Sequence, residues 1–209
     1  QACDRNGVVL AVGHTRRFSQ AANIMKSMID GGERGTILHV EANYSGPGGF
    51  ALKPGQWRAM REEAPGGGIT PMALHMVDTL TWILGPMSRL VAVSKRQAIS
   101  VEIDDTTAVL FELESGVTGQ LGSLMASAPT SYLRIYGTKA NLEARENFKE
   151  LTVEPVDPAR PQSRQRFNTD DTVQLELRAF DAACAGTAPY PVRPAEALRN
   201  VAVVEAIKK

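Results

Sequence analysis

The sequence predicts an α+β protein: a large, mainly antiparallel open sheet with helices on one face, preceded by the last strand of a parallel α/β unit. Three observations carry the prediction. Consecutive strand-like segments fill residues 89–153, and helical segments with an apolar stripe lie on either side of them. The chain also opens on a polar helix tail followed by the unbroken apolar run VVLAV.

Gln1 to Asn6 reads as the end of a helix, Gly7 as its C-cap and Val8 to Val12 as a buried strand. That order ends a parallel unit, so a segment is expected to precede it. The strand runs into Gly13-His14-Thr15-Arg16-Arg17-Phe18, and loops at the carboxyl ends of parallel strands commonly carry ligand contacts. The arginine pair also fits an ordinary solvated turn. Ser19 is expected to cap a helix to about Ile29, with Ala22, Ile24, Met25, Met28 and Ile29 inward and Gly31-Gly32 as its stop. Thr36 to Tyr44 alternates as a strand, with Leu38, Val40, Ala42 and Tyr44 on an apolar side and Ile37, His39, Glu41 and Asn43 on a polar one. His39 there suits a surface or interface position.

Ser45 to Glu63 is a long irregular segment, and Trp57 beside Arg58 marks it as an expected pocket wall. Arg89–Arg96, Thr106–Glu114, Val117–Ser127, Tyr132–Tyr136, Asn141–Ala144 and Glu150–Val153 read as strands, the second and third joined at Ser115-Gly116. Leu121, Ser123 and Met125 mix small and apolar side chains, which predicts a sheet face packed on a second copy of the chain. Asp157 to Asn168 is expected as an exposed excursion. Asp170 or Asp171 caps a helix to about Cys184, prolines extend 187–194, and Ala195 to Lys209 forms a last helix with Val201, Val204 and Ile207 inward.

Composition narrows the function. The 209 residues carry 23 basic and 23 acidic side chains, so no charge excess argues for nucleic acid, and a small molecule or another protein is the expected partner. Cys3 and Cys184 have no metal-type spacing and fit free thiols in a reducing compartment. No apolar run is long enough to span a bilayer and no signal-peptide pattern opens the chain, so the expected location is cytoplasmic, away from membranes.

The stretch PGGGITPMALHMVDTLTWILG, Pro65 to Gly85, organises the rest. Three glycines let the backbone turn sharply or lie against something flat. Thr70 is read as the N-cap of a helix and Pro71 as its first residue, with Ala73, Met76, Val77, Leu80 and Leu84 inward and Gly85-Pro86 ending it. His75 shares the other side with Asp78 and Thr79. A helix N-terminus disfavours a charged imidazole, so His75 is the candidate general base for removing a hydroxyl proton. A histidine on a mostly apolar helix can equally be a structural residue. A metal-dependent hydrolase built on His14, His39 and His75 is a further reading, although the three show no zinc-type spacing.

Strand-loop-HTRRF, the glycine turn before ITPMALHMVD, the IYGTKANLE strand pair and the final PVRPAEALRNVAVVEA occur in one order. In that order the sequence resembles the second domain of the glucose-fructose oxidoreductase, inositol dehydrogenase and MocA-like oxidoreductases, from about Val8 to the end. The resemblance implies residues 1–15 as the end of a missing N-terminal Rossmann domain and 16–209 as a substrate-binding and oligomerisation domain. It implies oxidation or reduction of a sugar, cyclitol or related small hydroxy or carbonyl compound with NAD or NADP. It makes His75 the catalytic acid or base and Arg16, Arg17, Trp57, Arg58, Thr70 and Asp78 substrate contacts. Gly13, His14 and Thr15 would approach the cofactor, no metal is needed, and a homo-dimer or tetramer would form through the open sheet.

Two departures stand out. Many members have an aspartate four residues before the histidine, where this chain has Pro71, so its role is unfilled or taken by Thr70 or Asp78. No G-x-G-x-x-G follows a strand, and the family's Glu-Lys-Pro segment is absent, which leaves no prepared pyrophosphate site. A non-catalytic ligand sensor or scaffold of the same fold is the alternative expectation.

Overall fold

The computed structural model describes residues 2–64, 66–168 and 171–207. One eight-stranded sheet forms its centre. In chain order the strands are β1 (Ile37–Ser45), β2 (Met87–Lys95), β3 (Thr106–Leu113), β4 (Thr118–Leu124), β5 (Thr130–Gly137), β6 (Ala140–Arg145), β7 (Glu150–Pro155) and β8 (Ser163–Arg166). Their order across the sheet is β2-β3-β4-β1-β5-β6-β7-β8. Every neighbouring pair is antiparallel except β1 and β4, which align His39 with Thr118. The α+β reading of the sequence therefore holds.

The helices are α1 (Ala2–Arg5), α2 (Gln20–Asp30), α3 (Leu74–Leu84), α4 (Thr172–Cys184) and α5 (Pro194–Ile207). Helix α2 begins as its sequence predicts, with the Ser19 hydroxyl accepting from the Ala22 amide. Asp171 caps α4 through the Gln174 amide; its alternative, Asp170, lies outside the described residues, as do Gln1 and Pro65. The main core is the layer between sheet and helices: Met25 of α2 and Met76, Val77 and Leu80 of α3 pack against Val40, Val109, Leu121, Leu133, Ile135 and Leu142. A smaller core of Ala59, Ala64, Ile99, Val101, Ile103 and Met125 ties the segment after β1 to the β2–β3 connection.

Five expectations are corrected. Val8 to Val12 form no strand, and Val8, Val9 and Leu10 are exposed, because none of the eight strands lies beside them to complete a ladder. Helix α3 starts at Leu74, not at Thr70-Pro71: a 3-10 turn, Gly67–Ile69, and bonds from the Met72 and Ala73 amides to the Gly68 carbonyl occupy that stretch. Leu121 is buried in the main core, Met125 in the smaller one and Ser123 beside Gly68, so they are not the exposed sheet face. The Asp157–Asn168 excursion contains the short edge strand β8, whose Arg164 and Arg166 pair with Glu150. Val201 of α5 is exposed; Ala197, Asn200, Val204 and Ile207 are the inward residues.

Candidate active site

The glycine turn sets where α3 begins. Gly66 and Gly67 have φ of 76° and 57°, values that residues with a Cβ rarely adopt, and a Cβ on Gly67 would overlap the Asp104 carbonyl. A side chain at Gly68 would run into Met125. The glycines thus lie flat against the β2–β3 connection and β4. This close seat aims the first turn of α3, and His75 with it, at the 3-10 turn Thr15–Phe18.

The imidazoles of His75 and His14 meet edge to face with centroids 6.0 Å apart. Burial pulls the His75 pKa below its ordinary value of 6.5, and the Arg16 charge, then His14, reinforce this against the pull of Asp78. His14 is lowered as well, by burial first, with Asp78 opposing. Both rings are neutral at pH 7, as a proton acceptor must be. The Nδ1 atoms of both rings and Nη1 of Arg16 are buried without a hydrogen-bond partner among the described residues. Buried polar atoms are nearly always bonded, so each of these three calls for a partner that the described residues do not supply.

Behind the histidines lies a closed ionic network. Asp78 is fully buried and accepts from Arg17 Nε at 2.9 Å, Arg17 Nη2 at 2.6 Å and Asn200 Nδ2 at 2.8 Å. Arg17 also donates to Glu196 at 2.7 Å, and His14 Nε2 stands 3.6 Å from Asp78 Oδ1. Burial works against the Arg17 charge, but its bonds to Asp78 and Glu196 outweigh it and its pKa rises. The network fixes α3 against α5 and the His14–Phe18 turn, so it positions the imidazoles.

The structure brings together His75, His14, Arg16, Arg17 and Asp78 from the sequence-predicted set. Arg17 and Asp78 face each other. Gly13 and Thr15 remain accessible, while the His14 side chain turns inward toward Asp78. Thr70 is half-buried in the turn before α3. Trp57 is 56% exposed, its ring under the Arg58 guanidinium at 4.4 Å, and its segment contributes Ala59 and Ala64 to the smaller core; among the described residues no hydrogen bond or ring contact joins it to His75. His39 lies on the sheet and shares a hydrogen bond with Thr118 across 2.9 Å. Among the described residues no group of three His, Cys, Asp or Glu side chains could hold a metal ion.

Sequence reasoning missed Asn200, Glu196, Asn147, Tyr44 and Phe148. Asn200 had a signal, since it sits on the apolar stripe Ala197, Val204, Ile207 of α5, where a lone amide calls for a buried partner. A cleft of about 720 Å³ between the end of α3, β2 and α5 is lined by Trp82, Met87, Arg89, Arg199 and Asn200 and does not reach His75. Its rim charges Lys26, Arg89 and Arg193 are already paired with Asp30, Glu112 and Glu196.

Residues 23–143, more than half of the chain, match the model of the GFO/IDH/MocA C-terminal domain. The chain belongs to this family. A D-apiose dehydrogenase of Paraburkholderia graminis is 26% identical over 190 residues, covering 91% of this chain and 44% of that protein. The crystal structure of a protein from Desulfitobacterium hafniense, assigned as an NADPH-dependent oxidoreductase, superposes with a TM-score of 0.91 at 29% identity, covering 99% of this chain and 63% of that one. The WlbA dehydrogenase of Bordetella pertussis, solved with NADH and UDP-GlcNAcA, gives 0.83 at 22% identity over 99% of this chain and 63% of its own. The chain spans about half the length of the curated relatives it matches. No helix among the described residues is long and apolar enough to cross a membrane.

Proposed function

We propose that this chain is the substrate half of an NAD(P)-dependent oxidoreductase that acts on a sugar, cyclitol or related small hydroxy or carbonyl compound. The observation that carries the reading is the meeting of two neutral imidazoles and a buried guanidinium, each with a polar atom unsatisfied, at the first turn of α3. His75 takes the proton of the substrate hydroxyl as the carbinol hydrogen leaves, and returns it in the reverse direction. Arg16 orients the substrate, with Thr70 at the rim. Arg17 and Asp78 act through His14 and α3, holding the imidazoles in place.

The nicotinamide of NAD or NADP supplies the hydride acceptor. The residues here suit only its reactive end: exposed Gly13 offers a backbone edge and Thr15 a hydroxyl, and no glycine fingerprint is present to hold a pyrophosphate. The rest of the nucleotide belongs to a preceding Rossmann domain. Exposed Val8 to Leu10 and the unburied apolar side chains of α4, Val173, Leu177 and Phe180, give that domain a surface to rest on. Self-association belongs to the open sheet face, whose β2–β3 corner exposes Val91, Val93 and Leu110.

The complete protein, offered NAD and NADP with a panel of aldoses, cyclitols and nucleotide sugars, should reduce one nucleotide with at least one of them. Nucleotide and sugar binding without any reduction would favour the sensor reading.

A further inference from the structure

Arg16 is the unusual cation of this molecule. It is 7% exposed, yet among the described residues no carboxylate lies within ion-pair distance of it. Arg17, next in sequence and equally buried, has two. The Arg16 guanidinium is held by neutral groups: Nε and Nη2 donate to Asn147 Oδ1 at 3.1 and 2.9 Å, the Tyr44 ring lies 4.0 Å from its carbon and the Phe148 ring 5.8 Å. Its Nη1 is buried with no hydrogen-bonded partner among the described residues, although the Tyr44 side chain supports the guanidinium electrostatically. Burying an unneutralised charge is costly, and proteins tolerate it where a partner arrives later.

The hairpin that supplies two of these partners is itself strained. Glu146, Asn147 and Phe148, between β6 and β7, have φ of 50°, 56° and 66°, three successive non-glycine residues in the left-handed region. The strain brings the Asn147 amide and the buried Phe148 ring onto Arg16 from the far side of the sheet sequence, 131 residues away. Aspartate at the same place would have neutralised the cation. Asparagine fixes its orientation and leaves its charge with no carboxylate among the described residues in ion-pair contact, Asp78 acting on it only from a distance, beside His75, on which Arg16 is the largest charge influence.

We propose that Arg16 is the anion-recognising residue of this site, and that the substrate received beside His75 carries an anionic oxygen group, as a sugar acid or a sugar phosphate does. The inference rests on the oxidoreductase reading only for the location of the substrate. A carboxylate or phosphate oxygen accepts from Nη1, completes the guanidinium's hydrogen bonding and supplies the missing counter-charge. A neutral sugar hydroxyl accepts the hydrogen bond but leaves the charge unpaired.

The test is calorimetric binding to the complete protein in the presence of NADH or NADPH, using matched sets: D-glucuronate and glucose 6-phosphate against D-glucose, and D-galacturonate against D-galactose. At least one anionic member should bind about tenfold or more tightly than its neutral counterpart, and the uronate and phosphate arms separate the two sources of the charge. Arg16→Gln should bring the members of that set to parity. Asn147→Asp, which keeps the arginine and places a carboxylate on it, should do the same and covers the case in which Arg16→Gln does not fold. The inference is overturned if no anionic sugar exceeds its neutral partner, or if a folded variant keeps the preference. Arg16-dependent uronate binding with no nucleotide reduction would retain this inference and remove the oxidoreductase reading. Oxidation of neutral sugars by the wild type with no preference for any anionic counterpart would do the reverse.

Discussion

Replacing Asp78 by asparagine keeps the shape of the side chain and removes its charge. In the native chain that carboxylate takes three hydrogen bonds, two from Arg17 and one from Asn200, at zero exposure. Losing one member of a buried pair costs about 3–5 kcal/mol, because the partner charge stays behind. The lower end applies here, since Glu196 still faces Arg17 at 2.7 Å. A loss of about 3 kcal/mol in a domain of this size lowers the melting temperature by about 6–12 °C. Thermal unfolding followed by circular dichroism measures this directly. The double variant Arg17→Met/Asp78→Leu supplies the control: Glu196 keeps Arg193, so no buried charge is left unpaired, the Asn200 amide alone loses its acceptor, and the loss should be smaller than for Asp78→Asn. A drop below about 3 °C, the range of an exposed ion pair, would refute the network as the element that fixes the site.

Acid should weaken the protein for a related reason. His14 and His75 have folded-state pKa values lowered by burial, so between those values and 6.5 the unfolded chain binds more protons than the folded one. Stability therefore falls as pH drops through that window and is flat above it, which urea unfolding between pH 5 and 8 checks. The same direction predicts that oxidation rates fall off at a lower pH than an ordinary imidazole would set, which a pH–rate profile checks. On the sheet, Leu110→Glu should move the sedimentation profile to smaller species while changing stability by about 0.5 kcal/mol or less, since Leu110 is exposed in the single chain.

Much of the fold was legible because local patterns and tertiary fate agree. The alternation in β1, the hairpin turn with Gly116 at φ 86° and the Ser19 cap each depend on a few adjacent residues. Where burial is shared between distant elements, the sequence was silent or misleading. Val8 to Val12 has the composition of a buried strand but no ladder partner within the chain. Thr70 and Pro71 carry a helix-start signature, but the glycines packed on Asp104 and Met125 draw the turn tighter and delay the helix to Leu74.

The site divided in the same way. His75 could be placed from its helix alone, and Asp78 followed at the next turn. Their partners could not, because Arg17 reaches 61 residues and Asn200 122 residues to meet Asp78. The two adjacent arginines look alike in sequence, yet one meets two carboxylates and the other meets an amide and two aromatic rings. The hairpin 146–148, with no motif of its own, and Tyr44 of β1 make the difference.

The proposed role of His75 is to move the substrate proton. The most direct measurement is the turnover of a His75→Gln variant of the complete protein with whichever sugar or cyclitol the wild type oxidises, beside its nucleotide affinity. The account predicts a fall in kcat of about a hundredfold or more with the dissociation constant for NAD or NADP unchanged. A variant that turns over within a few-fold of wild type would contradict it.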